Sequence, residues 1–159
     1  MEKLISVLVV EDSDAKRSSI ESILRREIQG VKIFSALSVR SAIDHIESNT
    51  FDLIVADMSL PTFDIETREP GGTPRPFGGI EVFEALDKDG LAVPVLVISS
   101  YPELNDGKQT LNLSELSTRL QKEFKEIFIG TVYFDPTYEE WEAKVAKYIN
   151  DIREKWNGA

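Results

Sequence analysis

Apolar positions along the chain follow two spacings, short unbroken runs and helical stripes. Val7 to Val10, Leu53 to Ala56 and Val93 to Ile98, the last including Pro94, are apolar runs, the pattern of strands buried on both faces of a parallel sheet. After the first run, Ile20, Ile23, Leu24 and Ile28 recur at helical spacing, and Gly30 is placed to end that helix. Val31 to Phe34 reads as a second strand. Ser38 then caps a short helix that turns Val39, Ala42, Ile43 and Ile46 inward. Ile80, Phe83 and Leu86 form a third stripe, and Leu113, Leu116, Leu120, Phe124 and Ile127 a fourth. Asn112 and Glu115 are spaced as a capping box at the start of the fourth, as are Thr137 and Glu140 before the last helix. A fifth strand, Thr131 to Phe134, ends at Asp135-Pro136, and the last helix carries Trp141, Val145, Tyr148, Ile149, Ile152 and Trp156. Strand and helix thus alternate five times, which predicts an α/β fold with a doubly wound parallel sheet.

Residues 61–79 interrupt this rhythm. Eight of their nineteen positions are Pro or Gly, with no core pattern running through them, so a long loop insertion is expected. The 159 residues suit one domain over 1–159, with no output domain following it. The absence of cysteine excludes disulfide and thiol chemistry and fits a reducing compartment. The N-terminal apolar run turns acidic too soon for a signal peptide or membrane span. A cytoplasmic location, without membrane insertion, is therefore expected. The formal net charge is −10, from 28 acidic against 18 basic side chains. Direct nucleic-acid binding needs a basic face and is not expected.

The strands end on polar groups. The first stops at Glu11-Asp12, the third at Asp57 and the fourth at Ser99-Ser100, and ligands of open α/β sheets bind outside the carboxyl ends of the strands. Three gathered carboxylates repel unless a cation compensates. Mg2+ suits such a site because it takes one or two carboxylates plus water and phosphate oxygens. A carboxylate beside Mg2+ is also a competent nucleophile toward phosphorus.

On these residues the chain resembles the receiver domain of two-component response regulators. The resemblance rests on Val9-Val10-Glu11-Asp12, on Asp52 to Asp57 with Pro61 four residues on, on Gly79-Ile80-Glu81 and on Pro94 to Ser99. It implies a five-stranded flavodoxin-like sheet in the order 2-1-3-4-5. It also implies Asp57 as phosphoacceptor and Ser99 as the hydroxyl that reports phosphorylation. Mg2+ would be held by Asp12, Asp57, the Ser59 backbone carbonyl and, mostly through water, Glu11. The implied partners are a histidine kinase or phosphotransfer protein and a downstream protein.

Two departures stand out. Receivers place a lysine before a proline at the end of the fifth strand, where this chain has Asp135 before Pro136, and no lysine lies between Lys125 and Lys144. The aromatic switch position falls on Val132, with Tyr133 beside it. The insertion after Asp57 is the second departure. Arg68 and Arg75 within it, and Lys108 after Ser99, are candidate replacement cations for a loop folded over Asp57. If the receiver turn is kept, the Asp135–Pro136 bond is expected to be cis. A pseudo-receiver, a binding module that ignores phosphorylation, is the alternative. A flavodoxin-like ligand site is disfavoured because Glu11-Asp12-Ser13-Asp14 replaces any glycine-rich phosphate cradle. A hydrolase lacks a nucleophile–histidine pair.

Overall fold

A computed structural model describes residues 3–64 and 74–157 of the protein. In chain order the elements are β1 (Ser6–Val10), α1 (Asp14–Glu27), β2 (Lys32–Ala36), α2 (Val39–Ser48), β3 (Leu53–Ala56) and α3 (Ile80–Lys88). There follow β4 (Val95–Ser99), β5 (Glu103–Asn105), β6 (Thr110–Asn112), α4 (Leu113–Glu123), β7 (Phe128–Tyr133) and α5 (Glu140–Asn157). The main sheet is parallel throughout, in the order β2-β1-β3-β4-β7. With β7 as the fifth strand of the sheet, this is the expected flavodoxin-like order.

The unbroken apolar runs are buried on both faces because each strand alternates its side chains between two cores. Leu8, Val10, Ile54, Ala56, Val95 and Val97 join the core under α2, α3 and α4. Val7, Val9, Leu53, Val55, Leu96 and Ile98 join the core under α1 and α5. All of β1 past Ser6, all of β3 and all of β4 are buried, while the edge strands β2 and β7 are partly exposed. The central strands therefore deliver their carboxyl ends to one rigid edge.

Local chemistry sets the helix ends. Ser13 caps α1, Ser38 caps α2 through Ser41, and Asn112 with Glu115 forms the expected capping box on α4. The Thr137–Glu140 box does not form. Asp135 Oδ1 takes the Thr137 N–H instead, at 3.0 Å, and α5 starts at Glu140. No described peptide bond is cis, so the cis expectation for Asp135–Pro136 is corrected. Trp156 packs on the α1/α5 core and donates its indole N–H to the Asp52 carbonyl at 3.3 Å.

The hairpin β5–β6, between Ser99 and α4, has no counterpart among the elements the sequence pattern predicts. Leu104 anchors it in the core, and Asp106 closes its turn by accepting the N–H groups of Lys108 and Gln109. Those two bonds hold the Asp106 carboxyl below the usual carboxylate range.

The described ends of the insertion are pinned. Leu60 and Arg75 pair across its base, and the Pro61 and Thr62 carbonyls accept the Val39 and Arg40 N–H groups at the start of α2. On the return, Gly79 packs against the backbone after β3. A Cβ there would lie 2.5 Å from the Asp57 carbonyl oxygen and 2.9 Å from Met58 Cα. Only a residue without a side chain fits so close an approach.

Candidate functional site

Glu11 and Asp12 leave the end of β1, and Asp57 leaves the end of β3, its register neighbour. Their carboxylates gather so that one oxygen from each lies within 4.8 Å of the others. Glu11 and Asp57 are buried, at 1% and 5% exposure, while Asp12 is only partly covered. Met58 and Leu60, both fully buried, nail the turn after Asp57 into the core.

The two oxygens of Asp57 have different surroundings. Oδ1 accepts the backbone N–H groups of Met58 at 2.6 Å and Ser59 at 3.3 Å. Oδ2 faces the ammonium of Lys16 at 3.0 Å. That ammonium also lies 2.8 Å from Glu11 Oε1 and donates to the Ile98 carbonyl at 2.7 Å. Lys16 is 3% exposed, and its Nζ sits 5.8 Å from the centre of the Phe134 ring. Glu11 Oε2 accepts the Ser13 N–H at 2.9 Å, whereas Oε1 is buried with the ion pair as its contact and no aligned hydrogen-bond donor. Burial, reinforced by the nearby Asp57 charge and opposed by Lys16, pushes the Glu11 carboxyl up to about 8. One ammonium shared by two buried carboxylates leaves the charge of one uncompensated.

This donor set fits a divalent cation. Three carboxylates against one ammonium leave two formal negative charges. Glu11 Oε1 is a buried acceptor without a donor, and no described hydrogen bond reaches the Ser59 carbonyl. Oxygen ligands with space for water are the preference of Mg2+.

Other expected residues are placed differently. Ser99 ends β4 beside β3 and is fully buried, but its hydroxyl is engaged with Tyr101, donating to the carbonyl at 2.9 Å and accepting the N–H at 3.1 Å. Asp135 closes its own turn and is not in the carboxylate cluster. Val132 is buried in the core, and Tyr133 is 41% exposed. Arg75 pairs with Glu81, and Lys108 sits in the turn of the β5–β6 hairpin. Arg68 lies outside the described residues. Among the described residues, the cation beside Asp57 is Lys16, which sequence reading missed. Its signal was present, since Lys16 precedes Ile20 by one turn and shares the buried stripe with Ile20, Ile23 and Leu24.

Comparison with known proteins agrees with this architecture. A family model of the response regulator receiver domain matches residues 7–129. The chain belongs to that family. Among curated relatives, this receiver is 27% identical over 146 residues to the Detocs response regulatory protein DtcB of Vibrio alginolyticus, covering 90% of this chain and 98% of that one. Among solved structures, the receiver domain of Francisella response regulator 1452 aligns with a TM-score of 0.61 at 18% identity, over 95% of this chain and 98% of the other. The response regulator TrrA of Thermotoga maritima, solved in complex with Mg2+ and BeF, aligns with a TM-score of 0.57 at 18% identity, over 91% and 99%. The family is a signalling domain of two-component systems. The matched span ends at Ile129, before Phe134 and Asp135, where this receiver departs from the expected lysine. Among the described residues, no helix is long and apolar enough to cross a membrane.

Proposed function

We propose that this receiver accepts a phosphoryl group on Asp57 from the phosphohistidine of a histidine kinase or phosphotransfer protein, and signals by binding a downstream protein in the cytoplasm. One observation carries the reading. The Asp57 carboxylate stands at the carboxyl edge of the sheet with Oδ1 fixed by two backbone N–H groups, beside two further carboxylates. In the transfer, an Asp57 oxygen attacks phosphorus, the P–N bond breaks, and its electron pair leaves with the imidazole. Asp12, Asp57 and the Ser59 carbonyl would hold Mg2+, with Glu11 alongside. Bound there, the ion supplies charge neutralisation for the incoming phosphoryl oxygens. Ser99 would exchange its bonds to Tyr101 for one to the phosphoryl group, passing the change to the β5–β6 hairpin.

The pseudo-receiver reading is favoured by Asp135 in place of the lysine. Incubation with Mg2+ and acetyl phosphate, read by intact mass, decides between the two. One phosphoryl group should be added to the parent and none to Asp57→Asn. An unmodified parent would leave the pseudo-receiver.

A further inference from the structure

Among the described residues, Lys16 is the basic side chain that touches the proposed acceptor, and it does so from α1 rather than from the end of β7. Lysine on a helix normally keeps its ammonium in water while its stem covers apolar surface. Here the whole side chain is sunk. Its ammonium nitrogen lies 2.7–3.0 Å from three oxygens, those of Glu11, Asp57 and the Ile98 carbonyl. Burying an ammonium this way is costly and is normally offset only by full pairing. The residue count alone gives no reason for it, because a methionine would fill the same stripe.

We infer that Lys16 is a catalytic residue of phosphoryl transfer, the cation that contacts the phosphoryl oxygens once they are bonded to Asp57. The inference rests on Asp57 being the acceptor. Oδ1 is committed to two backbone donors, so Oδ2 is the oxygen left to attack phosphorus, and Oδ2 is the one that faces the ammonium. A phosphoryl group on Oδ2 places its oxygens against Nζ. The ammonium keeps its protons throughout and exchanges its bond to Oδ2 for one to a phosphoryl oxygen. Such a donor is already in position beside the acceptor, so it need not be reorganised during the reaction. Asp135 is then free to serve its own turn, since the charge it displaces from β7 is supplied from α1.

Lys16 also ties the acceptor to two other elements. Its bond to the Ile98 carbonyl reaches the residue before Ser99, and its approach to Phe134 reaches the end of β7. Movement of the ammonium toward a phosphoryl oxygen would be felt at both.

The test uses the full chain with Mg2+ and acetyl phosphate, followed by intact mass. In Lys16→Met the labelling rate should fall by about 100-fold, the cost of removing a preorganised donor. Asp135→Lys on that background returns an ammonium to the same edge of the sheet and should recover most of the loss, which a merely structural role for Lys16 would not allow. A second measurement needs no variant to fold. In the parent with 15N-labelled lysine, the Lys16 ammonium resonance should shift on adding Mg2+ with beryllium fluoride, and not in Asp57→Asn. Labelling of Lys16→Met at the parental rate, or an unmoved Lys16 resonance in a parent that is labelled, overturns the inference while leaving the acceptor assignment intact. A parent that takes no phosphoryl group overturns both.

Discussion

Replacing Lys16 by methionine keeps the length of the stem and removes the charge, so its effect on stability isolates the ion pairs. Removing one partner of a buried pair costs about 3–5 kcal/mol because the other charge is left without compensation. Burial already drives the Glu11 carboxyl toward its neutral form. Asp57 is therefore the stranded group. The expected loss in Lys16→Met is about 3–5 kcal/mol, out of a total stability of about 5–15 kcal/mol. Urea denaturation in EDTA measures it. In the Asp57→Asn background the same substitution should cost far less, giving a coupling of roughly 3 kcal/mol in a double-mutant cycle at pH 7. A loss equal in both backgrounds would show that Lys16 acts through its stem, and the electrostatic reasoning would fail.

Three further outcomes are expected. Glu11 has its folded affinity for protons raised from 4.5 to about 8, so its contribution to metal-free stability is complete below pH 4.5 and is lost as pH rises to about 8. Urea midpoints in EDTA should fall more steeply over that window for the parent than for Glu11→Gln, and parallel curves would contradict the burial argument. Calorimetry should show Mg2+ binding abolished in Asp12→Asn and Asp57→Asn but kept in Asp135→Asn, whose carboxyl closes its own turn. Gly79→Ala forces a methyl group against the Asp57 carbonyl and Met58 Cα, both backbone. A loss of about 1–3 kcal/mol by urea denaturation is expected, and an unchanged midpoint would mean that the turn after β3 yields.

The fold was legible where burial is strong. Val7–Val10, Leu53–Ala56 and Val95–Ile98 announce themselves because each is covered on both faces, and helical stripes separate them. The β5–β6 hairpin was not legible. Its strands are three residues each, with Leu104 and Leu111 as the apolar side chains in them, too little for a period-two signal to emerge from a polar stretch. It is built instead from cross-strand pairing and the Asp106 turn, which no hydrophobic pattern records. The start of α5 failed for another reason. Thr137 and Glu140 have capping-box spacing, but Asp135 stands two residues before Thr137 and captures its N–H first, a local competition that spacing alone does not rank.

The carboxylates of the site were legible because an apolar run that stops on Asp57 breaks its own rule. The cation was not. With Asp135 in place of a lysine at the end of β7, cations on the loops after Asp57 and Ser99, Arg75 and Lys108 among them, are the replacements the sequence suggests. Arg75 instead has a closer partner in Glu81, and Lys108 sits in a turn. Lys16 shares the inward stripe of α1, where a lysine would ordinarily stretch its ammonium outward past its neighbours. What keeps it inside is Asp57, some forty residues away in sequence and adjacent only through the pairing of β1 with β3. Glu11 alone could not have done this, since its own carboxyl is driven toward the neutral form by burial. The inward lysine is therefore a consequence of the acceptor carboxylate, and a chain with this stripe but an apolar residue at position 57 should turn the same ammonium out to water.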